Sequence, residues 1–458
     1  MWTTNAAAVA ALDRVGAAAW CGYVDELLER VGRHVVRPES RTRLGAMVLA
    51  LLSRQGPRNC WTLAEQAGED RPWGMQHLLA RAAWNTDAVA GELRAFVVDH
   101  LGAADGILVV DETGDLKKGR STVGVQRQYT GTAGRIENAQ VAVYLGYASR
   151  RGHAMIDREL YLPRSWTEDP DRCAAAGVPA DVGFATKPAL ATALIERALD
   201  AGVPARWVTA DEVYGADPRL ARCLESRGIG YVLAIAGHRR LPVDAATAHT
   251  AAQIAADLPR CAWQVRSAGA GAHGPRRYAW AWIALHPRAA ASPHQDSEGH
   301  AHQPRGEWSL LVRRNLSTGE LAFYRCYAPT PTTLAQLITV AGRRWSIEES
   351  FQSSKGLAGL DEHQVRRWTP WRRWTLLAML AHALLAVLTA AEREHSPADP
   401  GLIELTCAEV RRLLTAALAP LTASVEALAH AADWSRWRRD HQHRAKTCHY
   451  ARYGVRLS

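Results

Sequence analysis

The sequence predicts an α/β protein: a mixed sheet flanked by helices, with a β-rich insertion, an N-terminal helical domain and a C-terminal helical, basic tail. Three observations predict it. Helical apolar spacing fills most of residues 1–104; two short apolar runs, Ile107–Val110 and Trp207–Ala210, each stop at an acid as buried strands do; and helical spacing resumes at Thr333 after a strand-rich segment. The expected division is an N-terminal helical domain over 1–104, a first part of the core over 105–237, a β-rich insertion over 238–325, a second part of the core over 326–391, and a helical region with a basic tail over 392–458. With 458 residues, 48% hydrophobic and 22% charged, the chain is long enough for more than one core and too apolar to be largely disordered.

In the N-terminal part, apolar periodicity covers Val35–Leu52 and Met75–Leu101. Between them Trp61–Gly68 runs into Arg71–Leu79: a short helix, a Gly/Pro break and a second helix. That outline fits a helix-turn-helix, but more commonly it is a plain helical hairpin in a bundle. Arg71, Gln76, His77 and Arg81 form its polar edge. From Gly106 the texture changes to strands. Ile107–Val110 stops at an Asp111–Gly114 turn, Val141–Tyr147 and Met155–Leu162 follow as strands, and Pro188–Ala201 has helical spacing. Trp207–Ala210 then stops at Asp211–Gly215, Arg219–Arg227 reads as a helix and Tyr231–Ala236 as a strand, which implies a mixed sheet with helices on its faces.

In the insertion, Trp263–Trp282 alternates like strands, His286–Arg305 is rich in His, Pro, Ser and Gly and reads as a loop, and Trp308–Val312 with Leu321–Tyr327 reads as a hairpin. Helical spacing is expected to run from Thr333 past Lys355, and the apolar run Trp374–Ala391, interrupted by His382, reads as a buried core helix rather than a membrane span. The eight cysteines form no CxxC pair, so they suggest reduced cytosolic thiols and neither a zinc ribbon nor a disulfide framework. Asp13 and Arg14 lie inside the Ala-rich start, which does not resemble a signal peptide. The formal charge of +9 fits an anionic partner without naming one.

The most informative pair of residues is Asp111 and Asp211. If their strands are parallel neighbours, both acids reach one sheet edge, where open α/β sheets place their sites. Two carboxylates held that close repel, and a divalent cation resolves the conflict; oxygen-only ligands favour Mg²⁺ or Mn²⁺. The same positions also suit helix N-caps following a strand. Glu112 and Glu212 are competing ligands, but strand alternation points them away from their neighbours. A third acid, Glu348, follows Arg344 by four residues and precedes Lys355 by seven, so on a helix all three share a face. Such a stripe suits a phosphate backbone held beside a metal, or ion pairing on a solvated helix.

Taken in order, these features resemble the DDE transposases of ribonuclease-H-like fold, and within their insertion-sequence 4 branch the insertion-sequence 701 family. The resemblance is carried by Trp61-Thr-Leu-Ala-Glu, Gly74-Met-Gln-His-Leu-Leu, Val110-Asp-Glu-Thr-Gly, Gln128-Tyr-Thr-Gly, Asn138-Ala-Gln, Ala210-Asp-Glu-Val-Tyr-Gly, Arg344-Trp-Ser-Ile-Glu-Glu-Ser-Phe, Gly359-Leu-Asp and Trp434-Ser-Arg-Trp-Arg-Arg. It implies a catalytic triad of Asp111, Asp211 and Glu348 holding two Mg²⁺ (or Mn²⁺) ions, with Arg344 and Lys355 on DNA phosphates. It further implies double-stranded DNA as partner (terminal inverted repeats and target), a homodimer in the synaptic complex, no membrane, and a bacterial cytoplasmic setting. One departure is Ala341, where the related branch has a tyrosine. Trp263, Trp280, Trp282 and Trp308 are candidates either for stacking a DNA base or for core. Two rivals stand beside this reading: a catalytically silent, transposase-derived DNA-binding protein, and a phosphatase of haloacid dehalogenase type. The latter wants an aspartate where Thr113 stands.

Over 433–458 seven basic residues face two acids, with Trp434, Trp437, Tyr450 and Tyr453 interleaved. Arg436, Arg438 and Arg439 are accordingly the candidate phosphate contacts of an arm that tracks DNA.

Overall fold

The computed structural model describes residues 17–53, 57–67, 69, 71–244, 246–271, 274–286, 294–295, 301–302, 306–395, 401–418 and 425–452. Most of the His/Pro-rich stretch expected to form a loop at 286–305 lies outside the described residues.

Five helices come first: α1 (Ala17–Gly32), α2 (Pro38–Leu51), α3 (Cys60–Gln66), α4 (Trp73–Ala80) and α5 (Thr86–Leu101). Periodicity predicts a helix from Val35, but α2 starts at Pro38, whose fixed φ and missing N–H suit a first helical position. Asn59 caps α3 by accepting from the N–H groups of Trp61 and Thr62. The core strands follow: β1 (Gly106–Leu116), β2 (Gln126–Thr130), β3 (Arg135–Ala148), β4 (His153–Leu160), then α6 (Lys187–Asp200), β5 (Ala205–Ala210), the short α7 (Glu212–Gly215), α8 (Pro218–Ser226) and β6 (Gly230–Ile235). β7 (Gln264–Gly271), β8 (Gly274–Leu285), β9 (Glu307–Asn315) and β10 (Leu321–Ala328) come next, followed by α9 (Leu334–Arg343), α10 (Trp345–Ala358), α11 (Trp368–His395), α12 (Cys407–Leu418) and α13 (Val425–Arg452).

Among the described residues these ten strands form one sheet, ordered β2-β3-β1-β5-β6-β10-β9-β8-β7 with β4 also on β3. β1 is antiparallel to β3 and parallel to β5, which is parallel to β6. The run β4-β3-β1-β5-β6, antiparallel and then parallel, is the ribonuclease-H-like arrangement. The longer strands of 238–325 extend this sheet, while Arg240–Pro242 with Ala248–Thr250 and His294–Gln295 with Ala301–His302 form two small sheets apart from it. β10 pairs antiparallel with β6 and so covers an edge that would otherwise expose unpaired N–H and C=O groups.

One apolar core runs from the N-terminal helices through the sheet to α11, and a smaller one lies under β8–β10. α11 is apolar on nearly every side, and its surroundings match: 94% of its apolar window is buried, although its length and composition would suffice for a membrane span. Arg373 of α11 donates to the carbonyls of Leu78, Leu79 and Ala82, satisfying the C-terminal end of α4 and tying the N-terminal helices to the core.

Two expectations about element limits are corrected. The turn expected at Asp111–Gly114 is strand, because β3 goes on pairing with β1 as far as Leu116↔Ala139. The helix expected from Thr333 past Lys355 is two helices, α9 and α10, separated at Arg344. Arg276 Nη2 donates to the Gly342 carbonyl at 3.1 Å, competing for an acceptor a continuous helix would use, and a Cβ at Gly342 would lie 2.3 Å from the Ala268 carbonyl oxygen. The basic tail is helical through Arg452, in line with the helical, basic tail expected, and Tyr450 is buried against Gly274, which has φ +120° and no room for a Cβ. Tyr453 and Arg456 of that tail lie outside the described residues.

Candidate active site

The β1/β5 ladder ends at Val110↔Ala210, so Asp111 and Asp211 leave it side by side at the same level. Their backbones then diverge. Asp111 stays in the ladder with β3, opposite Tyr144, whereas Asp211 turns out as the N-cap of α7. Its Oδ1 accepts from the N–H of Val213 at 2.9 Å and of Tyr214 at 3.4 Å. The cap fixes the carboxylate and leaves Oδ2 outside those two bonds. Gly215 closes this turn against β6: a Cβ there would fall 1.9 Å from the Ala234 carbonyl oxygen.

The third acid comes from α10. Glu348 lies in its first turn, and Arg344, at the junction of α9 and α10, bonds Glu348 Oε1 through Nη2 at 2.7 Å. The same guanidinium reaches Asp111 Oδ2 through Nη1 at 3.7 Å, and its charge also acts on Asp211. One arginine therefore faces all three acids. Burial, and then the neighbouring Asp211 charge, push the Asp111 carboxyl up to about 7. Asp211 is likewise raised, first by burial and then by Glu112. Burial opposes the charge on Arg344, but Glu348 and Asp111 outweigh it and hold its pKa above the ordinary value.

Glu112 faces the other side of the sheet. Lys187, at the start of α6, binds its Oε1 at 2.7 Å, and the Tyr214 hydroxyl donates to its Oε2. Lys355 lies two turns along α10 from Glu348 and meets the far part of β1: its Nζ is 3.3 Å from the Gly114 carbonyl oxygen, 3.3 Å from Thr132 Oγ1 and 3.8 Å from Asp115 Oδ1. Arg436 is exposed on α13, Arg439 bonds the Ile403 carbonyl at 2.8 Å, and the side chain of Arg438 lies outside the described residues. Of the four tryptophans considered for stacking, Trp280 is buried, Trp308 donates to Glu225, Trp263 packs under Arg314, and Trp282 is 39% exposed.

Sequence reasoning missed a second cluster on β1. Asp115, four residues beyond Asp111 and on the same face of the strand, sits 2.9 Å from Nε2 of the buried His363, and Lys117 Nζ is 3.4 Å from that ring nitrogen and 3.2 Å from the His363 carbonyl oxygen. Burial raises the Asp115 carboxyl, yet His363, Lys117 and Lys355 outweigh it and hold it below the ordinary range. The available signal was strand periodicity carried past Gly114, which the assumed turn concealed.

The donor chemistry fits a divalent ion at Asp111 and Asp211: adjacent oxygen ligands, partly desolvated, short of positive charge. Among the described residues no three His, Cys, Asp or Glu groups are gathered into a ready metal cage. Glu348 is held by Arg344 through its Oε1.

A family model described as DDE superfamily endonuclease matches residues 27–268, a stretch that includes Asp111, Asp211 and β1 to β6 and stops short of Glu348. The probable transposase for insertion sequence element IS701 of Microchaete diplosiphon is 30% identical over 175 residues, 38% of this chain. The chain thus spans 43% of the length of that relative. A cryo-EM structure of the piggyBac transposase synaptic complex with hairpin DNA aligns over 89% of this chain and 76% of its own, with TM-score 0.42 and 10% identity. With more than half of its length matched by the family model, the chain belongs to the DDE superfamily endonucleases.

Proposed function

We propose that this protein is a DNA transposase that binds terminal inverted repeats, hydrolyses the phosphodiester at the ends of its element and joins the freed 3′ hydroxyls to target DNA. The observation that carries the reading is the pair Asp111 and Asp211, brought level where β5 stops and β1 continues, with one arginine facing both and Glu348. Asp111, Asp211 and Glu348 are the residues that would hold two Mg²⁺ or Mn²⁺ ions. When bound, such ions supply Lewis-acid activation of water and neutralise charge on the attacking and leaving oxygens.

The chain's own residues do the rest. Asp211 is oriented by the two N–H groups it caps, and Asp111 by the β3 ladder, so neither has to be organised when substrate arrives. Arg344 and Lys355 hold phosphates beside the acids; when Arg344 turns to a phosphate, Glu348 is released toward the aspartates. The N-terminal helices read the repeats, two copies of the chain pair two ends, and the work takes place in the bacterial cytosol. The test is Asp111→Asn, assayed on a duplex that carries the element's inverted repeat. End binding persists and Mg²⁺-dependent nicking is lost; nicking retained by the variant rejects the assignment.

A further inference from the structure

Beyond Lys355, β1 leads into a cavity of about 230 Å³ lined by Lys117, Lys118, Ser121, Thr122, His363 and Arg366, among others, and by no acidic side chain. We propose that this cavity is a second phosphate subsite, taking one backbone phosphate of the bound DNA strand about six nucleotides from the phosphate at the acids. The inference rests on the DNA-cleaving reading above and adds to it a contact point and a length.

Three observations carry it. The first is charge. Lys118 and Arg366 are exposed, and neither has an acidic partner among the described residues, so the rim holds two uncommitted cations beside the hydroxyls of Ser121 and Thr122. The second is rigidity. Asn138 donates both amide hydrogens, to the carbonyls of Lys117 at 2.5 Å and Gly119 at 3.1 Å. Gln140 donates to the Val123 carbonyl at 2.7 Å, and the Val123 N–H bonds the Arg366 carbonyl at 2.9 Å. The Asn138-Ala-Gln140 motif, to which the catalytic reading gives no task, thus fastens one wall of the cavity and ties it to the other. A site already held open needs less ordering when its ligand arrives.

The third observation is spacing. Lys117 lies six residues beyond Asp111, on the same face of an extended strand whose ladder continues through the Lys117 N–H to Asn138. Six residues of strand span about 20 Å, and at about 3.4 Å of axial rise per nucleotide that is about six nucleotides. Lys355 and Lys117 lie on either side of Asp115, so cations recur from Arg344 to Arg366 along this line.

The test uses the full chain and duplexes of inverted repeat plus flanking DNA, each with a single neutral methylphosphonate walked away from the scissile position. The wild type is expected to lose about fivefold in affinity when the neutral linkage falls about six nucleotides away. The Lys118→Gln, Arg366→Gln variant loses nothing further there, keeps the response at other positions, and shows a salt slope shallower by about 0.9. Far-UV circular dichroism on the same samples establishes that the variant is folded. Equal losses in wild type and variant at that position overturn the subsite, as does a wild type with no sensitive phosphate there. Unchanged DNA binding by a variant that has lost affinity for inorganic phosphate marks a free-anion site and overturns it too. A wild type that binds no end-containing duplex rejects the transposase reading itself, which separates the two failures.

Discussion

Two aspartates on strands either side of β3, Asp157 buried and Asp111 half-buried, are treated in opposite ways. Asp157 of β4 is met by Arg94 at 3.0 Å and Arg197 at 2.8 Å, with Arg158 beside it, and although burial raises its carboxyl the arginines hold it below the ordinary range. Asp111 of β1 has a like-charged neighbour in Asp211 and one arginine at 3.7 Å, which is already bonded to Glu348; its carboxyl is pushed up to about 7. The chain therefore has arginine enough to neutralise a buried acid where packing of α5, α6 and β4 requires it. At the β1/β5 edge it leaves the acids short of positive charge. Acids left in such a deficit are characteristic of functional sites, and the proposed reading places its metal ions here.

Exchanging the two residues should break that contrast most sharply in activity. Asp111→Asn is expected to lower nicking at least about 1,000-fold, the scale of several kcal/mol that a bound metal contributes, while leaving the unfolding midpoint in metal-free buffer equal to or above wild type. Asp157→Ala should do the reverse. It strands the guanidinium groups of Arg94, Arg158 and Arg197 in the fold, at a cost of about 3–5 kcal/mol read from urea unfolding, and whatever protein remains folded still nicks. A destabilised Asp111→Asn, or a stable Asp157→Ala, would erase the distinction.

Next in size comes the dependence on pH, and the two signs oppose. Asp111 holds its proton more tightly folded than unfolded, so its contribution is full below about pH 4 and is lost as the pH rises through about 7. Asp157 binds its proton less tightly when folded, so its contribution is present above the ordinary carboxylate value and is lost as the pH falls below it. In metal-free buffer, raising the pH from 5 to 8 should therefore cost the wild type on the order of 2 kcal/mol relative to Asp111→Asn. Melting temperatures of both proteins across that range check it, and parallel curves would mean that Asp111 is not the group in deficit.

How much of this was legible beforehand follows from what periodicity can carry. The two aspartates, Glu348 and Arg344 were readable because each stands at the end of a buried strand or at helical spacing, and alternation separated Asp111 from Glu112. Asp115 and His363 were not, since an acid followed by Thr-Gly looks like a turn unless one knows that β3 continues beside it to Ala139. The joining of β10 to β6 was equally hidden: hydrophobic alternation marks a strand but says nothing about which edge it finds. The break at Arg344 depends on Arg276, 68 residues earlier in the chain, reaching the Gly342 carbonyl, and no local pattern records such a contact.

The smallest expected effect concerns the basic tail, where the comparison is between charge held at the site and charge held far from it. Cutting the chain at Asp433 would remove Tyr450 along with the arginines, and Tyr450 packs against Gly274 in the β7–β8 hairpin, so a truncation confuses lost packing with lost charge. Arg436→Ala removes a charge from an exposed position on α13 and leaves that packing alone. If Arg436 neutralises a DNA phosphate, the plot of log affinity against log salt becomes shallower by about 0.9, with affinity at low salt reduced and nicking of bound DNA retained. An unchanged slope would place the tail outside the DNA interface and leave Arg344, Lys355 and the Lys118–Arg366 rim to carry the electrostatic contact with DNA.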